Sequence, residues 1–315
     1  MSVVPTPIKQ EDHPHKDKHD LVYYGKCVLG GMIACGLTHS GITPLDLVKC
    51  RKQVDSKIYK SIGNGISVIF KSKGIPGLYL GWLPCLYGYS LQGMGKFGFY
   101  EVFKDVYAWI VGEKNAQKYR TTGYLCAAAG AEFIADILLC PFESLKVRMQ
   151  TSLPEGTFTK KFLKGFCQIK STEGAFGFYK GITPLWLRQI PYTMVKFSCF
   201  ENIVRAFYTF VFTKPKHTYS KTTQLTITFM SGYIAGVFCA IVSHPADTMV
   251  SKLNQKKTTA GVLASVKEIY GEIGFMGLWR GLLARIIMIG TLTGLQWWIY
   301  DSFKTAVGLQ TTGGK

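Results

Sequence analysis

Pro44-Leu45-Asp46-Leu47-Val48-Lys49, Pro141-Phe142-Glu143-Ser144-Leu145-Lys146 and Pro245-Ala246-Asp247-Thr248-Met249-Val250 are three versions of one phrase. Each sets a proline two residues ahead of an acid inside an apolar stretch. The prolines stand 97 and 104 residues apart, so the unit of the chain is about a hundred residues, and a repeat of that kind decides the architecture before any local assignment. A proline inside a helix removes a backbone hydrogen bond and kinks it. A carboxylate at membrane depth is costly and is kept where it has a task. Kink and buried charge, three times over, imply membrane helices that move.

Composition points the same way. The chain of 315 residues is 47% hydrophobic, 14% aromatic and only 18% charged, against roughly a quarter charged in soluble domains. No apolar stretch runs unbroken for a full span. Glycine, proline and isolated charges interrupt them all, as expected of helices lining a wet cavity. A soluble helical protein with buried cores is the weaker reading, given small-residue spacings such as Gly232 to Gly236. The net charge is +18, and segments 49–73, 146–170 and 252–280 hold 7, 6 and 5 of the basic residues against four acids, Asp55, Glu155, Glu268 and Glu272. Loops so positive belong on the inner side of a membrane and attract anionic headgroups. No nucleic-acid motif accompanies them, so nucleic acid is not an expected partner. Nine cysteines, an odd number mostly in apolar segments, read as small buried residues in a reducing compartment.

The order of segments predicts six spans near 22–51, 78–108, 121–150, 179–211, 224–253 and 279–307, with short surface helices near 62–72, 160–171 and 261–271. The expected fold is an all-α membrane protein: six transmembrane helices in three pseudo-symmetric repeats, 21–110, 118–212 and 222–307. A polar tail, 1–20, precedes them, and 308–315 form a second tail. An even number of spans puts both termini on one side, opposite the basic loops. Before each second helix recurs a glycine-aromatic phrase: Gly74-x4-Tyr79-Leu80-Gly81, Gly174-x4-Tyr179-Lys180-Gly181 and Gly274-x4-Trp279-Arg280-Gly281. Glycine allows the tight turn, while an aromatic and a cation suit the membrane interface. The second helices end in register at Tyr100-Glu101, Phe200-Glu201 and Tyr300-Asp301, followed by Lys104 and Lys304 but by Arg205 one position late.

These three coordinated sets of motifs, spanning about residues 22 to 307, resemble the mitochondrial carrier family. Thr38-His39-Ser40, Gly88-Tyr89-Ser90-Leu91-Gln92-Gly93, Arg188-Gln189-Ile190-Pro191-Tyr192 and Ser243-His244-Pro245 are similar to its phosphate-carrying branch. The departures are Val250, where a third cation would stand, and Lys73 and Leu80 in the first glycine-aromatic phrase. The resemblance implies a three-fold bundle in the mitochondrial inner membrane with both termini toward the intermembrane space. Each repeat would have a matrix-side amphipathic helix, and a central site would open to alternate sides between two gates. Anionic lipid, cardiolipin in that membrane, would sit at the amide-rich helix starts.

Asp46, Lys49, Glu143, Lys146 and Asp247 are then the expected matrix gate, since side chains at i and i+3 share a helix face. Glu101, Lys104, Glu201, Asp301 and Lys304 form the expected cytoplasmic gate. Val250 leaves one matrix pair unmade, and Lys252, about 200° further round the helix, cannot stand in for it. Val250→Lys should therefore slow transport, read as the uptake rate in liposomes. Symmetric positions suit gates, whereas a small asymmetric cargo is read where the repeats differ. Counting back from the prolines gives His39, Asp136 and Ala240, then Cys35, Glu132 and Gly236. Counting back from the outer acids gives Lys96, Lys196 and Gln296, then Gln92, Tyr192 and Leu292, then Gly88, Arg188 and Met288.

The expected substrate-binding set is thus Gln92, Lys96, Arg188, Gln189, Tyr192, Lys196 and Gln296, with Arg285 either joining it or anchoring the sixth helix. His39, Glu132 and Asp136 form the expected proton-coupling set. An Arg fork and Lys point charges suit phosphate, and histidine titrates where phosphate does. Inorganic phosphate moved with a proton, or against hydroxide, is the expected cargo. Copper(I) is the rival or additional one, because Cys35 and His39 stand one helical turn apart and are soft donors. A channel or a carrier of another small anion is the remaining alternative. Gly93-x-Gly95-x-x-Gly98 matches a dinucleotide fingerprint but no strand precedes it, so close helix packing is the better reading. No P-loop, Ser/His/Asp or zinc signature is present, so neither enzyme activity nor a cofactor is expected.

Overall fold

The computed structural model describes residues 20–55, 57–152, 158–255, 262–279 and 281–313, with side chains except at 53, 246–247, 250–255, 262–266 and 284. Its first repeat comprises α1 (Leu21–Gly41), α2 (Thr43–Val54), α3 (Ile62–Leu78) and α4 (Trp82–Val111). A short α5 (Glu113–Lys118) leads to the second, α6 (Arg120–Thr151), α7 (Phe162–Glu173) and α8 (Ile182–Ala206). The third is α9 (Lys221–Gln255), α10 (Val262–Gly277) and α11 (Leu282–Ala306). No strand occurs among the described residues. Consecutive long helices touch, α1 with α4, α4 with α6, α6 with α8, α8 with α9 and α9 with α11, and α11 returns to α1 to close the ring.

Three of these helices contain stretches long and apolar enough to cross a membrane: Leu21–Gly41, Arg120–Thr151 and Lys221–Pro245, the first long helix of each repeat. Their partners α4, α8 and α11, of 30, 25 and 25 residues, carry amide and charged side chains within their length. Those groups, Gln92, Lys96, Lys196, Gln296 and the outer acids among them, are buried inside the protein.

The first expected span is broken rather than continuous. Ile42, at φ −91° and ψ 2°, separates α1 from α2, and Pro44 falls in the first turn of α2. Pro141 and Pro245 instead lie inside α6 and α9. The difference lies three residues ahead of each proline, where Gly41 stands in place of Leu138 and Val242; glycine adds its own helix-weakening freedom to the proline's missing donor. The second helix of repeat two is shorter than expected, because α8 passes into a π-helical turn at Phe207–Val211.

Glycine makes the close approaches. A Cβ on Gly31 would collide with the carbonyl of Gly93, and one on Gly93 with the carbonyl of Gly31, so α1 and α4 meet backbone to backbone. Gly236 and Gly290 do the same for α9 and α11, where a Cβ on the former would come within 2.7 Å of the latter's Cα. Gly93→Val should therefore destabilise the fold by about 1–3 kcal/mol, seen as a lower unfolding midpoint in detergent.

The surface helices α3 and α7 dock by their apolar faces, α3 through Ile69 onto Leu47 and Val48, and α7 through Ile169 onto Leu145 and Met149. Gly74, Gly174 and Gly274, at φ of 63°, 70° and 62°, supply the turn in each repeat, a left-handed conformation that other residues resist. Glu173, at the end of α7, receives Arg148 from α6 and Lys180 at 2.6 Å from the following turn. Those two hydrogen-bonding cations, Arg148 first, hold its carboxyl well below the ordinary value, at about 2.

A central charge cluster between two closures

A charge cluster lies in the ring interior between ion pairs at either end. Lys96 and Gln92 lie on one face of α4, opposite Glu132 and Asp136 on α6, and all four are at most 4% exposed. Lys96 Nζ pairs with Glu132 Oε2 at 3.0 Å. The Gln92 amide donates to Glu132 Oε1 at 2.8 Å and to Asp136 Oδ1 at 3.1 Å, so one neutral donor holds two carboxyls together. Lys196 of α8 donates to Gln296 Oε1 of α11, whose own amide nitrogen lies 2.9 Å from the Cys35 sulfur on α1. The ring of Tyr192 lies beneath the Lys196 ammonium at 5.9 Å. Among the described residues Lys196 has no carboxylate within ion-pair distance, although it is almost wholly buried.

His39 lies one turn beyond Cys35 on α1, toward the basic-loop end and within electrostatic range of Lys196 and Lys96. Its ring stacks on Tyr89 at 3.7 Å and 6°, and its Nδ1 is buried without a hydrogen-bond partner among the described residues. Tyr89 reaches further along the same line, with the Lys146 ammonium, itself paired to Glu143, 5.0 Å from its ring. Arg188 is exposed and lies within electrostatic range of both Glu143 and His39. Gln189 is half-buried and makes no hydrogen bond with another described side chain. Arg285 reaches Ser243 Oγ at 3.1 Å, a contact that ties α11 to α9.

At the basic-loop end, Lys146 joins Glu143 at 2.9 Å on its own helix and Asp46 at 3.5 Å on α2. Lys49 is exposed, with no ion pair to another described side chain. The side chains of Asp247 and Val250 lie outside the described residues. At the opposite end, Lys104 binds Glu101 at 3.0 Å and crosses to Glu201 of α8 at 3.3 Å. Lys304 and Asp301 share a different partner, Thr312, which takes 3.1 Å and 2.7 Å hydrogen bonds from and to them.

Between this end and the cluster lies a layer that sequence reasoning did not single out. Phe97, Phe197 and Trp297 have ring centroids 5.2, 5.2 and 5.0 Å apart around the axis and are at most 1% exposed. Their spacing of 100 residues, four ahead of the outer acids, was the available signal. Among the described residues no three His, Cys, Asp or Glu side chains converge as metal donors. The Cys35 sulfur is occupied by the Gln296 amide, so Cys35 and His39 are a pair without a third donor there.

The comparisons with known proteins match this architecture repeat by repeat. The family model described as mitochondrial carrier protein matches residues 21–109, 117–210 and 221–310. Similar proteins include the probable mitochondrial phosphate carrier protein of Schizosaccharomyces pombe, 56% identical over 292 residues, covering 92% of this chain and 93% of that one. The mitochondrial phosphate carrier protein of Caenorhabditis elegans is 57% identical over 290 residues, or 91% and 82% of the two chains. Solute carrier family 25 member 3 of Homo sapiens is 55% identical over 278 residues, or 88% and 75%. With three matched repeats, a closed ring of helices and charge layers at both ends, the chain belongs to the mitochondrial carrier family.

Proposed function

We propose that this protein imports inorganic phosphate into the mitochondrial matrix together with a proton, equivalently in exchange for hydroxide, by alternating access through six membrane-spanning helices. The observation that carries the reading is Lys196: a buried cation whose hydrogen-bond partner is a neutral amide. A buried charge of that kind is costly until an opposite charge arrives. Lys96 beside it is already balanced by Glu132, so an incoming oxyanion completes Lys196 and draws on Lys96 as a second donor. The names of the relatives, phosphate carriers over most of their length, agree with that choice of anion.

The two carboxyls on Gln92 give the accompanying proton a place, because like charges that close are both ionised only at high cost. His39 and Tyr89 connect that cluster to the Lys146–Asp46 closure, the matrix gate. The Lys104–Glu201 pair and the aromatic layer close the cytoplasmic side. Both termini then face the intermembrane space, and the basic surface helices face matrix-side anionic lipid such as cardiolipin.

The test is uptake of labelled phosphate by liposomes containing the purified protein. With the interior alkaline, saturable accumulation is expected, collapsing when the pH gradient is dissipated. Linear, non-saturating flux marks a channel instead. Preference for a dicarboxylate over phosphate would replace the cargo.

A further inference from the structure

The outer gate lacks a cation in the middle repeat. Lys104 and Lys304 stand three residues after their acids, but Val204 holds that place after Glu201. Lys104 of α4 crosses to Glu201 of α8; by the same rotation a cation at 204 would cross to Asp301 of α11. Val204 is buried, and the backbone of Gly313 packs on it instead, a Cβ there coming within 2.9 Å.

The segment after α11 is built to reach that place. Leu309 N–H donates to the Lys304 carbonyl at 2.8 Å and Gly308 N–H to Thr305 at 3.3 Å, with Gly308 at φ 82°. That is the hydrogen-bond pattern of a glycine helix stop, and it turns the chain back over the bundle. Thr312 then presents its backbone N–H to both Asp301 oxygens at 3.0 Å and its hydroxyl to Oδ1 at 2.7 Å, while accepting from Lys304. Lys216 clamps the segment from the far side, donating to the Thr311 and Gly313 carbonyls at 2.6 Å each. Thr311 and Thr312 are each only 5% exposed.

We infer that residues 309–313 are a strap that replaces the missing third ion pair of the cytoplasmic gate and must leave Asp301 for that side to open. Donors to a carboxylate are among the stronger hydrogen bonds, so the strap holds the closed arrangement as a cation at 204 would. The gate itself belongs to the transport reading proposed above, but the strap has a readout that needs no transport. Tyr23, one helical turn ahead of Cys27, reaches Glu101 at 3.1 Å, so the fully buried Cys27 sits at this end. Its modification by a hydrophilic maleimide in nanodiscs, quantified by mass spectrometry without phosphate, reports gate opening.

Thr312→Pro removes the strap's two donors to Asp301 and leaves the Thr228 hydroxyl of α9, at 2.8 Å, on its Oδ2, while Lys216→Gln removes the clamp and leaves the gate residues in place. Each is expected to speed Cys27 modification about tenfold, with Thr312→Ser like wild type. Where Thr312→Pro fails to unfold cooperatively, Lys216→Gln decides. Wild-type Cys27 rates in the folded variants would overturn the strap, whether or not the same preparations transport phosphate. Faster Cys27 modification in a preparation that moves no phosphate would uphold the strap and remove the cargo assignment alone.

Discussion

Lys196→Met is expected to slow phosphate uptake more than a hundredfold while leaving the protein folded. The magnitude follows from what the ammonium does for an anion at this depth. Charge-assisted hydrogen bonds to an oxyanion contribute about 1.5–3 kcal/mol each, and losing about 3 kcal/mol costs about a hundredfold. Met matches the unbranched stem of Lys and leaves the Tyr192 ring and the neighbouring helices their apolar contact. Lys96→Met is a poorer probe. Its removal strands Glu132, fully buried, without its cation, a defect worth about 3–5 kcal/mol of stability in its own right. Lys196 has only Gln296 to disappoint. Uptake by Lys196→Met within threefold of wild type, in protein with an unchanged unfolding midpoint, would remove Lys196 from the site. Lys196→Arg separates charge from shape: it restores the charge but replaces a point donor with a planar fork, so a large residual loss there identifies geometry as the second requirement.

The repeats made most of the fold legible, and they did so through residues that obey the symmetry. Gly74, Gly174 and Gly274 were expected as turns and have the left-handed backbone that expectation needs. The small-residue spacings were expected as close packing, and Gly236 meets Gly290 while Gly31 meets Gly93. Comparing unlike positions also brought Gln92, Lys96, Glu132 and Asp136 together from two helices. The misses have physical causes. The break at Ile42 depends on Gly41 adding to Pro44, a local sum that the shared phrase conceals. The partners of Asp301 were sought among cations at fixed spacing, whereas they are the Thr228 hydroxyl and the N–H and hydroxyl of Thr312, the latter two delivered by a chain reversal after Gly308. Tyr89 was visible within a motif, but its role depends on ring stacking between helices, which spacing along one helix does not encode.

Asp136→Asn should separate the proton from the cargo. Two fully buried carboxyls share the Gln92 amide, and Lys96 neutralises the one on Glu132. Asp136 has no ion pair among the described residues, and its Oδ2 has no hydrogen-bond partner there. An uncompensated buried carboxylate costs several kcal/mol, which a proton travelling with the substrate removes. Asparagine keeps the shape and the acceptor for Gln92 but never changes charge. Net uptake driven by a pH gradient should therefore fall more than about tenfold and lose its pH dependence. Phosphate–phosphate exchange at equal pH, which needs no net proton movement, should persist within threefold. Equal loss of both activities would make Asp136 a structural residue, and survival of both would end the relay assignment. His39→Gln adds the second step: if protons pass from the carboxyl pair toward the Tyr89 stack, it should show the same split, because glutamine fills the space beside Tyr89 but does not exchange a proton in this range.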